Sequence, residues 1–288
     1  MPRWLRAFWD AYWDFLDDDG WAIASHIALS TLTSMFPFLI FLTALAGFFG
    51  SKDLADEAAT LLLDTWPQRV AAPLAAEIHS VLTQSRSGLL TIGVVLAIYF
   101  SSSGIEALRI GLNRAYRVKE RRPWYVLRLE SIAYVLVGSL AVLALTFLVV
   151  LGPLIWNAIV DYAPALHRLE SLVTWSRYAI TAVVMTAALI VAHLWLPAER
   201  HTIRQILPGL AFTLVSSFAF AFAFGIYLAS FARNYASTYA GLASVMIAIL
   251  FLYTLASIFV YGGELNATLC RLAKRERKEE RERAETRA

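Results

Sequence analysis

Six apolar runs dominate this chain, and each is long enough to cross a lipid bilayer. A hydrocarbon core about 30 Å thick takes about 20 apolar residues in helical form. The runs cover residues 27–50, 88–108, 131–159, 177–196, 205–231 and 240–269. Composition agrees: 59% of the 288 residues are hydrophobic and 16% are charged, whereas soluble domains carry about 25% charged residues. The expected fold is an all-α integral membrane protein with six transmembrane helices in a domain spanning 27–270.

Lysine and arginine set the orientation, because cytoplasmic loops retain them. Nineteen of the 25 fall in residues 1–26, in 109–130, in the connection holding Arg200 and Arg204, and in the tail; six fall on the opposite side. Both termini are therefore expected in the cytoplasm, and an even number of spans agrees. The first 26 residues, with RWLRAFWDAYWDFLDDDG, have no apolar h-region and carry five aspartates, so they do not read as a signal peptide. Trp4, Leu5, Phe8, Trp9, Tyr12 and Leu16 share one side of a helix, which predicts an amphipathic helix in the inner interface. The longest outer connection, 51–87, predicts two short surface helices with a joint between Pro67 and Pro73. The tail, 271–288, mixes 8 basic and 5 acidic residues and is expected to be helical or disordered.

The single cysteine, Cys270, and five dispersed histidines give no metal-ligand spacing. No metal, cofactor or catalytic group is expected. Polar residues recur inside three of the spans, toward the inner half. Ser30, Thr33 and Ser34 precede Pro37 in the first run. Ser101, Ser102, Ser103, Glu106 and Arg109 end the second, with Asn113 beyond them. Glu264 and Asn266 lie late in the sixth. Ionisable residues in spans usually face the bundle interior or a wet cavity, so these groups are candidates for lining a polar cavity open to the cytoplasm. Plain alternatives stand beside that reading. Glu106 and Arg109 are spaced for an i,i+3 ion pair. Glu264 has Arg109 or Arg128 as an interfacial partner. Serine and glycine also serve helix packing.

The stretches ALSTLTSMFPFLIF, SSSGIEALRIGLNRAYRV and YAGLASVMIAILFLYTLASIFVYGGELNA, in that order and spacing, resemble the YihY/BrkB family of bacterial inner-membrane proteins. The resemblance covers about residues 20 to 270. Its recurring features fall on Ser34, Pro37, Asn113, Tyr116, Glu264, Leu265 and Asn266, with a departure at Leu29 and Ser30, where members often carry an aromatic pair. It implies a six-helix, multi-pass inner-membrane protein. Members have been labelled ribonuclease BN and serum-resistance or virulence factors, and transport of lipid-like substrates has been proposed.

A nuclease needs metal-binding carboxylates or an acid–base pair at a phosphate. The cytoplasmic acids here are scattered among basic residues without such a grouping, so neither an enzyme nor a nucleic-acid partner is expected. The favoured reading is a transporter or flippase for an amphipathic, anionic or lipid-like envelope molecule, with membrane lipids as partners. The alternative is a non-transporting scaffold that binds another envelope protein through 51–87 or the tail. A channel comes third, because the apolar outer halves argue against a large pore.

Overall fold

The computed structural model describes residues 3–48, 90–162, 170–239 and 243–287. Among them it contains seven helices and no strand: α1 (Arg3–Asp17), α2 (Gly20–Phe48), α3 (Leu90–Ala115), α4 (Trp124–Tyr162), α5 (Glu170–Trp195), α6 (Ile203–Tyr239) and α7 (Ala243–Arg287). The two surface helices expected in 51–87 lie outside the described residues. Five helices carry stretches long and apolar enough to cross a membrane: Gly20–Leu39, Val94–Ala115, Trp124–Leu145, Ile203–Ala229 and Val245–Thr286. The described apolar stretch of α5 is shorter, Ala182–Trp195. Each expected span falls on one of α2 to α7, but α2 and α4 begin seven residues before the apolar runs they contain. Hydropathy marks only the part of a helix in hydrocarbon, whereas hydrogen bonding continues into the interface.

The outward faces are apolar. Val137 on α4, Val183 on α5 and Phe222 on α6 are exposed. Leaving such side chains in water costs about 25 cal/mol per Å²; hydrocarbon removes that cost. The chain is a membrane protein, and its long helices present lipid-compatible surfaces.

Between helices, small residues permit close approach. A Cβ added to Gly104 of α3 would lie 2.7 Å from the Ser34 hydroxyl of α2. The α6–α7 crossing is tighter. A Cβ on Gly209 would lie 2.0 Å from the Gly262 carbonyl oxygen, and one on Gly262 would lie 2.1 Å from Thr213 Oγ1. Helix α1 lies against α7 through Ala7 and Ala11, which pack with Leu265. Its other side turns Trp4, Trp9 and Trp13 outward, the arrangement of a helix lying in an interface. The α1–α2 corner, the α3–α4 loop and the α5–α6 loop share one end of the bundle. Arg114 meets Asp19 at 3.5 Å, the Ala198 amide donates to Asn113 Oδ1 at 2.7 Å, and Arg122 donates to the Leu196 carbonyl at 3.2 Å.

Alanine at position 209 or 262 would force α6 and α7 apart, a cost of about 1–3 kcal/mol for overpacking. Both variants should melt at lower temperature than wild type in detergent. Gly138→Ala and Gly225→Ala, with nothing near the added Cβ, should stay within about 1 kcal/mol of wild type. Equal melting of all four would show that the α6–α7 contact is not tight.

Candidate functional site

Three polar assemblies occupy the shared end. The first is buried and joins four elements. Pro208 interrupts the first turns of α6 and cannot donate to the carbonyl four residues back. The next amide, Gly209 N–H, donates to Asn266 Oδ1 on α7 at 2.7 Å. Asn266 Nδ2 donates to the Tyr116 hydroxyl at 3.3 Å, and that hydroxyl lies 3.4 Å from His193 Nδ1 on α5. His201 stacks on the Tyr116 ring at 4.1 Å. Burial pushes the Tyr116 phenol up and the His201 imidazole down, so both are neutral near pH 7. Nε2 of each histidine and Thr213 Oγ1 are buried with no hydrogen-bond partner among the described residues.

The second assembly fastens α1 to the bundle. Asp14 accepts from Arg117 at 2.9 Å, from Thr268 at 2.9 Å and from Arg271. Asp18 accepts from Arg117 Nε at 2.7 Å. Arg117 sits at φ 55, just beyond the end of α3. Val118 N–H reaches back to the Asn113 carbonyl and Arg117 N–H to Arg114, both at 2.9 Å. That pair of bonds is a Schellman cap, whose left-handed position usually belongs to glycine. An arginine there costs about 1–2 kcal/mol of backbone strain, and its side chain is the one that grips both aspartates. Behind this clamp lies Glu264, 1% exposed, with Oε2 unpartnered. The charges around it are Asp14, Asp18, Arg117 and Arg271.

The third assembly binds α3 to α4 and to the α5–α6 loop. Arg109, 3% exposed, donates to the Leu127 carbonyl at 3.1 Å and pairs with Glu130 at 3.5 Å. Glu130 pairs with Arg122 at 2.9 Å, and Arg122 with Glu120 at 2.8 Å. Glu120 also accepts from Asn113 and from the amides of Arg121 and Arg122. These donors, the Arg122 side chain first, hold the Glu120 carboxyl at about 2, far below its ordinary 4.5. Beside them, Glu106 pairs with Arg128 at 2.6 Å, and Arg128 lies 3.6 Å over the Tyr99 ring.

The candidate residues therefore divide. Asn113, Glu264 and Asn266 sit within the polar end. Glu106 and Arg109 are there too, but bound to Arg128 and Glu130 of α4 rather than to each other or to Glu264. The hydroxyls of Thr33, Ser34, Ser101 and Ser102 bond to carbonyls of their own helices, Ser34 being the one against Gly104. Ser30, Ser103 and Pro37 are half-buried. Sequence reasoning missed the clamp. Its signal lies in two separate patterns: the aspartates of the first helix, which in sequence speak only against a signal peptide, and the arginines after α3, which in sequence mark only orientation.

Comparison with known proteins places the chain among membrane proteins. The family model described as Virulence factor BrkB matches residues 11–287. A Bacillus subtilis protein named Putative ribonuclease-like protein YfkH is 26% identical over 251 residues, covering 87% of this chain and 90% of that protein. UPF0761 membrane protein RC1_0578 of Rhodospirillum centenum is 27% identical over 259 residues, covering 88% of this chain and 55% of that protein. No solved structure matches.

Two outcomes follow from these assemblies. Glu120 has a depressed folded pKa, so its contribution is full above 4.5 and is lost as pH falls toward 2. In melting experiments the advantage of wild type over Glu120→Gln should hold from neutral pH to about 5, then shrink on further acidification. A difference already absent at neutral pH would contradict the network. Arg117→Gly removes the backbone strain together with the Arg117 arm of the clamp, leaving Arg271 and Thr268 on Asp14. Global stability should change by no more than about 1 kcal/mol, while hydrogen exchange of the α1 amides accelerates. Unchanged exchange in α1 would mean that the contacts left, Arg271 and Thr268 on Asp14 and the apolar packing, hold it without Arg117.

Proposed function

The chain belongs to the Virulence factor BrkB family, and we propose that it binds and moves an amphipathic, anionic, lipid-like molecule, as a transporter or flippase of the bacterial inner membrane. In this reading α5, 26 residues long, supplies the sixth crossing, and the end bearing α1 and the basic loops faces the cytoplasm. Glu264 carries the argument. Its carboxyl group is buried, and one oxygen has no partner among the described residues. Such a group is costly in a span and marks a pathway or binding site more often than a packing contact.

Arg117 and Arg271 stand next to it, already engaged by the aspartates of α1. An anionic headgroup arriving at the interface competes with Asp14 and Asp18 for the same two guanidinium groups. Its binding releases α1 and opens a way toward Glu264 and Asn266. The serines of α2 and α3, Arg109 and Asn113 border that way. The word ribonuclease in a relative's name gains no support from the site: among the described residues no three His, Cys, Asp or Glu side chains are placed to hold a metal ion. The scaffold alternative draws on the hydroxyls that bond to their own helices, since such groups serve packing without a cavity.

The test is a reconstituted assay with fluorescent phosphatidylglycerol in vesicles, read by quenching of the outer leaflet. Wild type should equilibrate the leaflets, and Glu264→Gln should slow this by about ten-fold or more. No acceleration by wild type over protein-free vesicles would sink the transport reading and leave the scaffold. Equal rates for wild type and Glu264→Gln would sink the role of Glu264.

A further inference from the structure

A groove of about 400 Å³ opens between α1, α6 and α7, away from the clamp. We propose that it binds the phosphate of an anionic phospholipid, held by Arg204, Lys274 and Arg277. This holds whether or not the protein moves lipid, because none of the three cations belongs to the assemblies around Glu264.

Charge is the first argument. Elsewhere at this end, Arg109, Arg114, Arg117, Arg122, Arg128 and Arg271 each meet a carboxylate within 4 Å. The groove gathers three cations, and its lining contains no carboxylate; Glu199, whose charge reaches Cys270, stands outside the lining. Among the described residues, no ion pair is formed by any of the three. The groove also lies at the start of α6, a positive dipole end, where the Gln205 and Ile206 amides are bound to the Thr202 carbonyl. Gln205 accepts from the Thr202 amide at 2.8 Å, which fixes this first turn and leaves the Gln205 side-chain NH2 as a further donor.

The walls decide the source of the anion. Leu269, Ala273 and Pro208 form an apolar floor, and Trp4 stands on the rim, 57% exposed. A free phosphate has no use for that floor, whereas the glycerol and first acyl carbons of a phospholipid cover it. The level fits as well. The groove sits where the apolar part of α7 gives way to its charged extension, and tryptophan at such a boundary marks the headgroup region. The volume is within the range of small-ligand sites.

The full-length protein tests this by native mass spectrometry from mixed micelles of phosphatidylglycerol and phosphatidylethanolamine. Wild type should retain phosphatidylglycerol preferentially. A cation near an anionic lipid surface strengthens association about five-fold. Arg204→Gln, Lys274→Gln or Arg277→Gln should therefore each weaken the preference by about that factor, and the triple variant should abolish it. A control triple, Arg6→Gln, Lys119→Gln and Arg121→Gln, neutralises other exposed cations and should keep the preference. Equal loss in both triples, or no preference in wild type, overturns the site. Cys270 supplies the location, because it lines the groove and is the chain's single cysteine. In nanodiscs, phosphatidylglycerol should slow its reaction with uncharged N-ethylmaleimide more than it slows a reference cysteine, Arg121→Cys in a Cys270→Ser background. Protection by water-soluble glycerol phosphate in phosphatidylcholine discs would instead assign the groove to a soluble phosphate and overturn the lipid source.

Discussion

The contact between Gly209 and Gly262 sets the geometry of the polar end. Two helices can come this close only where neither carries a side chain. Once they do, residues one turn along each helix are brought opposite their partners. Thr213, four after Gly209, meets Gly262; Asn266, four after Gly262, meets the Gly209 amide. Inside a bilayer no water is at hand to satisfy these groups. The Asn266 amide therefore turns its second function to Tyr116, and Tyr116 in turn lies against His193. One close approach thus registers four elements without a charge among the linking side chains.

A different physics fixes α1. Its buried side holds Ala7, Ala11 and Phe15, and charge is added to these apolar contacts. The cost is visible in the backbone, where Arg117 holds a left-handed conformation that glycine would adopt more easily. Strain retained at one residue because its side chain serves another element is a mark of constraint beyond folding. Three carboxylates, Asp14, Asp18 and Glu264, face two arginines there. The two guanidinium groups are engaged by Asp14 and Asp18, and Glu264, the deepest of the three acids, has one oxygen without a partner among the described residues.

The helices were readable because a span must be long, apolar and continuous, and those properties are local. Periodicity in RWLRAFWDAYWDFL showed an amphipathic helix, but not that its tryptophans face out while Ala7, Ala11 and Phe15 face in. The site was readable only by residue type. Glu264, Asn266 and Asn113 stand out as polar groups in or beside an apolar context, and all three belong to the polar end. Partners were not readable. Glu106 and Arg109 sit one turn apart, a spacing that suits a local pair, yet α4 offers each a better one. Arg128 reaches Glu106 across 22 positions and Glu130 reaches Arg109 across 21. Such pairings depend on how α3 and α4 cross, which no single stretch encodes. The serines illustrate the converse: in sequence a hydroxyl in a span reads alike whether it lines a path or bonds to its own helix.

Helix α7 runs unbroken for 45 residues, about 67 Å at 1.5 Å per residue. Less than half of that is needed to cross about 30 Å of hydrocarbon. The remainder is a stiff rod continuous with the segment that carries Gly262, Glu264 and Asn266. A tilt of 10° at the crossing with α6 would swing the far tip by about 6 Å, taking about 35 Å of projecting rod. Any such tilt would be geared into a larger displacement of the charged end, a pointer with two glycines at its pivot.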